Sequence, residues 1–496
     1  MRIAVIGAGF AGLATGKTLK QFGHDVVIYE KAPDVGGVWS RTRRYPGLST
    51  QNNKGTYSLI DLPMPKSYPE WPSGQQVQEY LASYARMFGL DEHLRLSTEV
   101  VKADLDASGD KPRWTVEATG EHAGTEEFDF VVVANGIFSL PFIPTYAGQE
   151  EFEAAGGRVC APSEVHSLDE VRGKHTLVIG YGKSSCDIAS AITGTTASTT
   201  VVARNLLWKM PKKLFGVVNF KYAMLTRLGE ALFEYRWPTP TEKFLHGPGR
   251  PIRDGLIKGL QTVATKQLAL EQMDLVPAGS FDRIARSTVS LTSNGFYEKA
   301  KAGKLSVKRE NEIVRLYAED GKPMAELRDG TRMPADVVIA ATGWRQEVPF
   351  FSKELQDRLT DEKGNYELYR FILPHEVPGL AFSGYNSSFF SPLSAEMAGL
   401  WIANYLMGHA VMPPLEERKE IVRKRLAWME ERTEGKHARG TNIIPFSMHN
   451  VDESMAGMGL KIPMAQRIKE WLLPVSPQDY KFVNETLMRR RAGLED

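Results

Sequence analysis

The chain alternates short, unbroken apolar runs with amphipathic stretches, and its first block reads strand, glycine turn, helix, strand. Residues 2–6 (RIAVI) form the kind of run that a strand buried on both faces shows. Residues 7–12 form a glycine turn, residues 13–22 a helical pattern, and residues 25–29 a second apolar run that ends at Glu30. A further buried strand is predicted over 128–134 (FDFVVVA), and it ends in Asn135-Gly136. The same block starts again at residue 176: strand 176–179 (TLVI), turn 180–185, a helix from about Asp187, and strand 200–203 (TVVA). An internal repeat of this motif says more than either copy alone.

Between about 206 and 300 the period changes from strand-like to helical. Met224, Leu225, Leu228, Leu232 and Phe233 share one face of a helix expected over 220–236, which Pro238 and Pro240 then break. Leu256, Leu260 and Val263 share a face within 252–270. This reads as a mostly helical insertion packed on the core. Its basic start, Lys209, Lys212 and Lys213, leaves an entrance-shaping or membrane-touching role as the less favoured reading. Later, 336–340 (DVVIA) and 380–384 (LAFSG) are buried strands. A helix from near Ser394 carries Met397, Leu400, Trp401 and Tyr405, and 414–436 is a charged helix.

Composition narrows the function classes. With 496 residues, roughly two to four domains are expected. A net charge of +1 gives no reason to expect a nucleic-acid partner. The two cysteines, Cys160 and Cys186, stand far apart, which argues against a disulfide framework, a zinc site and a dithiol redox centre. Met1-Arg2 before the apolar run 3–16 has the outline of a secretory leader, but the glycine turn explains those residues better. No run reaches the ~18 apolar residues of a membrane span, and the terminal LMRRRAGLED carries no anchor. A cytoplasmic protein without a transmembrane segment is expected. A homo-oligomer stays open.

The chemistry sits in the two turns. In Gly7-Ala8-Gly9-Phe10-Ala11-Gly12 the first glycine permits a sharp turn, the second a close backbone approach to a pyrophosphate, and the third close helix–strand packing. The helix N-terminus offers free N–H groups and a positive dipole end to phosphates. Glu30 suits a ribose with free hydroxyls and repels a 2′-phosphate, so this site fits FAD or NAD. Lys31, beside Glu30, and Val100 are assigned to the same dinucleotide. So are Gly37, Val38 and Trp39 of the GGVW turn. The second turn, Gly180-Tyr181-Gly182-Lys183-Ser184-Ser185, has Ser185 in place of the third glycine, so looser helix packing is expected. Arg204, where the first unit has an acid, suits the 2′-phosphate of NADPH. Ala134-Asn135-Gly136 and Ala341-Thr342-Gly343 end strands and suit chain crossings between two dinucleotide domains.

In this order, GAGFAG, Glu30, GGVW, GYGKSS, Arg204 and ATGW, the chain resembles the class B flavin-dependent monooxygenases, and within them the flavin-containing monooxygenases. The resemblance covers nearly the whole chain. Arg204 to Trp208 with Pro211 is similar to the family's R-x-x-x-W-x-x-P stretch, and Leu368-Tyr369-Arg370 and 378–384 are similar to its late segments. The resemblance implies an α/β fold of two Rossmann-like dinucleotide-binding domains for FAD and NADPH, the second inserted in the first and carrying the helical insertion. The FAD domain would span 1–160 and 335–496, and the NADPH domain 161–334. It implies that NADPH reduces FAD, and that reduced FAD and O2 give a C4a-(hydro)peroxyflavin. One oxygen atom then passes to a small organic substrate, at nitrogen or sulfur in the favoured reading. A Baeyer–Villiger oxidation of a ketone and an uncoupled NADPH oxidase are the alternatives. A disulfide oxidoreductase of the same plan lacks its cysteine pair here, and a dinucleotide-bound sensor is the non-enzymatic rival. The resemblance places Thr50, Gln51, Asn52 and Asn53 near the flavin and makes Gln51, Asn52 and Asn53 the catalytic candidates, with Gln51 where the family has an active-site asparagine; capping of a local turn is the alternative. Trp208, Thr342 and Gly343 complete the cofactor set. One signature departs: of the F-x-G-x-x-x-H-x-x-x-aromatic fingerprint only Gly157 remains, with Ala155, Ala161 and Val165 at the other positions. The scattered His166, His246, His375 and His449 read as surface or satisfied core residues.

Overall fold

A computed structural model describes residues 1–286 and 290–494. The insertion expected over 206–300 thus includes three residues, 287–289, outside the described ones, and the first unit's last two residues lie outside them as well.

Two five-stranded parallel sheets repeat one plan. In the first, Arg2–Ile6 lies between Asp25–Tyr29 and Phe130–Val133, with Leu94–Arg95 and Leu380–Phe382 at the edges. In the second, His175–Ile179 lies between Ser198–Ala203 and Val337–Ala340, with Ser306–Arg309 and Arg158–Cys160 at the edges. The central strands are almost wholly buried Val, Ile and Leu, as strands covered by helices on both faces must be. Each unit also carries a three-stranded antiparallel sheet, 98–128 in the first and 313–334 in the second, which the apolar pattern alone did not announce. Two strands that lie outside the 161–334 read from sequence join the second unit's sheet. Strands Arg158–Cys160 and Val337–Ala340 both pair in its sheet, because Val337–Ala340 hydrogen-bonds the central strand and Arg158–Cys160 adds outside it.

The chain crosses between the units twice, and the crossings pair with each other. Leu140–Pro141 runs antiparallel to Trp344–Arg345. Phe142 N donates to Gly343 O at 3.0 Å, Thr342 Oγ1 donates to Phe142 O, and Asn135 Nδ2 donates to Glu347 O at 2.8 Å. The Ala134-Asn135-Gly136 and Ala341-Thr342-Gly343 stretches therefore build the junction.

The insertion is mostly helical, but its helices differ from the expected ones. The helix read over 220–236 is two short helices, Lys221–Met224 and Arg227–Ala231. Thr226 breaks the run by capping the second helix, its Oγ1 accepting Gly229 N at 3.0 Å. Leu228 consequently faces solvent, while Met224, Leu225, Leu232 and Phe233 are buried. In Arg250–Gln267 the buried residues are Ile257 and Ala264, and Leu256 is exposed. Pro240 opens the helix Pro240–His246 rather than breaking one. Helices Phe10–Gln21 and Lys183–Ile192 each start three to four residues before the expected points, directly after Gly9 and Gly182.

Buried ion pairs fasten the insertion to the C-terminal helices. Arg227 forks onto Asp452 at 2.7 Å and 2.8 Å and reaches Glu470 at 2.8 Å. His449, on helix Ser447–Gly457, sits between two carboxylates, Glu230 and Glu242, the latter 3.1 Å from Nε2. Burial opposes a charge on this imidazole, but the hydrogen bonds to Glu230 and Glu242 outweigh it and raise the pKa to about 10. A group raised from about 6.5 to about 10 stabilises the fold in full below pH 6.5 and loses that contribution as pH rises through 10. His449→Gln should therefore cost about 3 kcal/mol at neutral pH, since it leaves two carboxylates unneutralised in the interior. The loss of stability between pH 7 and 10 should also be shallower than in the wild type. Denaturant melts at four pH values check this, and parallel pH profiles for the two proteins would exclude the His449 charge as the cause.

Candidate dinucleotide sites

Both glycine turns are shaped by a close backbone crossing. Gly7 has φ +113°, and a β-carbon there would run into the carbonyl of Ala134. Gly180 has φ +111°, and its β-carbon would stand 2.6 Å from the carbonyl of Ala341. The first residue of each A-x-G stretch thus lies against the first glycine of its own turn. Gly9 and Gly182 then begin the helices Phe10–Gln21 and Lys183–Ile192, and neither helix has a side-chain cap. Their first N–H groups remain free to meet phosphates.

The third positions differ. A β-carbon at Gly12 would overlap the carbonyl of Gly7, so helix and strand pack at backbone distance. At the matching place in the second turn, Ser185 is accommodated, and its Oγ donates to Gly180 O at 2.6 Å. The hydroxyl thus ties the helix start back to the turn.

Beside the first turn lies a cavity of about 470 Å³, inside the usual range for ligand sites. Gly7, Gly9, Phe10, Ala11, Glu30, Lys31, Gly37, Val38, Trp39, Val100, Ala134, Asn135 and Gly136 line it. Gly12 lies behind the turn instead. A methyl group on Gly9 would meet nothing nearer than Gly37 Cα at 3.6 Å, so this wall is open to an approaching ligand. Glu30 is buried, and its oxygens accept Ala8 N at 2.8 Å and Ala32 N at 2.9 Å. Burial pushes its carboxyl pKa up, and these backbone donors hold it down in part. Each oxygen keeps a lone pair for a ribose hydroxyl. Phe10, Trp39 and Tyr57 form an aromatic cluster with Tyr57 edge-on to both partners. The fold thus offers what FAD needs: an uncapped glycine-lined helix start, a buried acceptor pair and an apolar wall.

Sequence reading missed Arg43, Asn386 and Ser387, which also line this cavity. Arg43 donates to Phe138 O at 2.5 Å and stacks over Trp344 at 5.1 Å. No local pattern marks these residues, because the loops that bring them here are distant in sequence.

In the 50–54 loop the candidates part company. Asn52 is buried and donates its amide to Phe389 O, tying this loop to the segment that holds Asn386 and Ser387. Asn53 is spent on its own loop: Oδ1 accepts Thr56 Oγ1 at 2.6 Å and Nδ2 donates to Glu70 at 3.2 Å. Gln51 Oε1 and Thr50 Oγ1 are buried with no partner among the described residues.

In the second unit, Tyr181 turns its ring into the core, its hydroxyl 3.1 Å from that of Tyr297. Lys183 pairs with Asp187, and Gly182 faces open space. Arg204, just past strand Ser198–Ala203, is exposed and makes no ion pair among the described residues. Trp208 is packed instead in the insertion, edge-on to Phe281 with its Nε1 donating to Gly279 O at 3.2 Å. What remains at the second turn for a dinucleotide is the uncapped helix start, the open space at Gly182 and the exposed Arg204. At the departed fingerprint, Ala161 and Val165 are fully buried and fill an apolar part of the second unit.

Comparison with known proteins agrees with this geometry. Residues 1–244 match the family model described as flavin-binding monooxygenase-like. A probable flavin-containing monooxygenase of Arabidopsis thaliana is 26% identical over 531 aligned residues, covering 98% of this chain and 97% of its own. Among solved structures, the S-allyl-L-cysteine S-oxygenase of Allium sativum superimposes with a TM-score of 0.62 at 19% identity, covering 100% of this chain and 94% of its own. Cyclohexanone monooxygenase from Rhodococcus sp. Phi1 bound to NADP+ does so with a TM-score of 0.65 at 18% identity, covering 99% and 97%. At these identities the two structures establish the shared fold. No helix among the described residues is long and apolar enough to cross a membrane.

Proposed function

Because the chain belongs to the flavin-binding monooxygenase-like family and is a flavin-dependent oxidoreductase, we propose that it uses FAD and NADPH to insert one oxygen atom of O2 into a small organic substrate at nitrogen or sulfur. The observation that carries this reading is the unlike pair of turns. A buried carboxylate follows the first and an unpaired arginine follows the second. One turn suits free ribose hydroxyls and the other a 2′-phosphate, so two different dinucleotides have separate addresses.

When bound, the flavin supplies electron transfer and oxygen activation. The protein's own work is to bind, orient and keep out water. The Gly7–Gly12 turn and the start of helix Phe10–Gln21 bind the flavin's pyrophosphate, and Glu30 accepts the ribose hydroxyls. Phe10, Trp39 and Tyr57 wall the site with apolar surface, which strengthens every polar contact inside it. Gly180–Ser185 and Arg204 bind the second dinucleotide. None of residues 50–53 lines the 470 Å³ cavity; within this loop Gln51 is the candidate left free to meet a ligand, since its amide oxygen is buried and unengaged among the described residues while Asn53 is held by neighbours. Asn52 acts as a positioning residue through Phe389.

The test combines turnover in 18O2 with a panel of thioethers, tertiary amines and cyclic ketones. Sulfoxides or N-oxides carrying one labelled atom are expected. Lactones or esters would replace nitrogen and sulfur chemistry with ketone oxidation, and peroxide without product would replace the monooxygenase reading with an oxidase.

A further inference from the structure

A second cavity, of about 820 Å³, opens between the insertion and helix Leu415–Thr433, away from both glycine turns. Its wall is aromatic and cationic: Tyr235, Trp237, Trp428 and Phe446 alternate with Arg236 and Arg432. The segment Thr441–Ser447 divides it from the flavin cavity. On one face this segment hydrogen-bonds Ser387 and Phe389 (Ser387 N to Thr441 O, 2.8 Å; Phe389 N to Ser447 Oγ, 2.9 Å). It also places Phe446 on the wall of the second cavity.

The charges on this wall are not balanced by the protein. The Arg236 side chain is only 6% exposed; it donates to Ile421 O at 3.2 Å and lies over one face of the Trp237 ring at 3.3 Å, but its nearest carboxylate, Glu453, is 4.0 Å away. Glu453 is already engaged by Arg370 at 2.6 Å and by the Tyr235 hydroxyl at 2.5 Å. Behind the wall, Arg425 is buried too, bound through Leu368 O at 3.0 Å and stacked over Phe371 at 3.9 Å. Arg236 and the partly buried Arg370 thus share one carboxylate, and the buried Arg425 has no ion pair among the described residues. Among the described residues Arg432 has only carbonyl acceptors, Ala285 O at 2.6 Å and Asn442 O at 3.4 Å, and it lies over the rings of Trp428 and Phe446. All four Nε–H groups are buried without an acceptor among the described residues. Burial, and then Arg286, push Arg432 down to about 10, which is how an uncompensated cation registers. The rim cations are different: Arg286, Lys424 and Arg250 pair with Glu434, Glu420 and Asp254. Asp282 lies 3.6 Å from Arg253, and Glu234 and Glu431 are exposed rim acids. Buried guanidinium charges with few counter-charges and unsatisfied Nε–H groups are costly unless something pairs with them.

We propose that this cavity is a second ligand site, built for an organic anion: a carboxylate or phosphate on a flat, apolar body. Arg236 and Arg432 take the anionic group, as arginine forks do. Trp237, Trp428 and Phe446 take the ring. The site is separate from both dinucleotide addresses.

The test uses the flavin-loaded full chain with benzoate, phenyl phosphate and inorganic phosphate as probes, and benzamide as the neutral control. Calorimetry should show saturable binding of benzoate and phenyl phosphate, with benzamide at least about tenfold weaker. Arg236→Leu and Arg432→Leu should each weaken binding about tenfold or more while flavin content stays at the wild-type level. If a leucine variant does not fold, phenylglyoxal modification of the wild type, mapped by peptide mass, decides instead: benzoate should protect Arg236 and Arg432. No saturable binding, binding indifferent to both substitutions, or protection elsewhere overturns the proposal.

Discussion

Gly9→Ala should give a folded protein that purifies with much less flavin than the wild type. The backbone at Gly9 has φ −81°, which alanine adopts freely, and the new methyl group has no protein neighbour nearer than 3.6 Å. It would stand on the open wall of the 470 Å³ cavity. An extra carbon in a fitted contact costs ~1–3 kcal/mol, which weakens FAD binding about 10- to 100-fold. The neighbouring Gly12→Ala is the contrast: its methyl overlaps the carbonyl of Gly7, so the helix must move off the strand and the protein itself should fail. The flavin-to-protein absorbance ratio, read with thermal unfolding, separates the two. A fully yellow Gly9→Ala would mean that the pyrophosphate does not approach this turn.

Arg204→Ala should raise the KM for NADPH by about 10- to 100-fold and leave that for NADH nearly unchanged. A charge-assisted hydrogen bond is worth ~1.5–3 kcal/mol, and Arg204 is exposed without an ion pair to compete for it. Because the site is open to solvent, the preference should also shrink at high salt. Initial rates with both nucleotides decide the matter; an unchanged ratio would take the 2′-phosphate away from Arg204.

Both predictions rest on features that were readable in the residues, and the reason is local. A glycine turn between an apolar strand and a helix is specified by a few neighbouring residues, so Gly7–Gly12 and Gly180–Ser185 stand where the pattern put them. Ser185, at the third position of the second turn, bonds back to the first glycine through its hydroxyl. What depends on distant partners was not legible. Leu228 and Leu256 lie on helical apolar faces in the sequence, yet they face solvent, because the buried face is chosen by whatever packs against it. The outer strand of the second unit was hidden for the same reason: strand Arg158–Cys160 joins its sheet only through pairing with Val337–Ala340. Tyr181 and Trp208 lie in cofactor motifs, but their rings are committed to Tyr297 and Phe281. The anionic site lay furthest from view. Its wall is assembled from the insertion and a helix well over a hundred residues later, and nothing in either segment alone distinguishes its arginines from solvated ones.

The paired crossings between the two units have a mechanical meaning. Two separate linkers would act as a pair of loose tethers and allow tilt, twist and slide. Here Leu140–Pro141 and Trp344–Arg345 are hydrogen-bonded side by side, and Ser139, Thr342 and Asn135 pin the ribbon at its ends. A ribbon of this kind behaves as a door hinge. It flexes about the line across its width without breaking a bond, and it resists shear and torsion, because either would pull the rungs apart. The ribbon is one of two ties between the units, the other being the buried ion pairs that hold Arg227 to Asp452 and Glu470, so the second unit is moored at both its junction and its insertion.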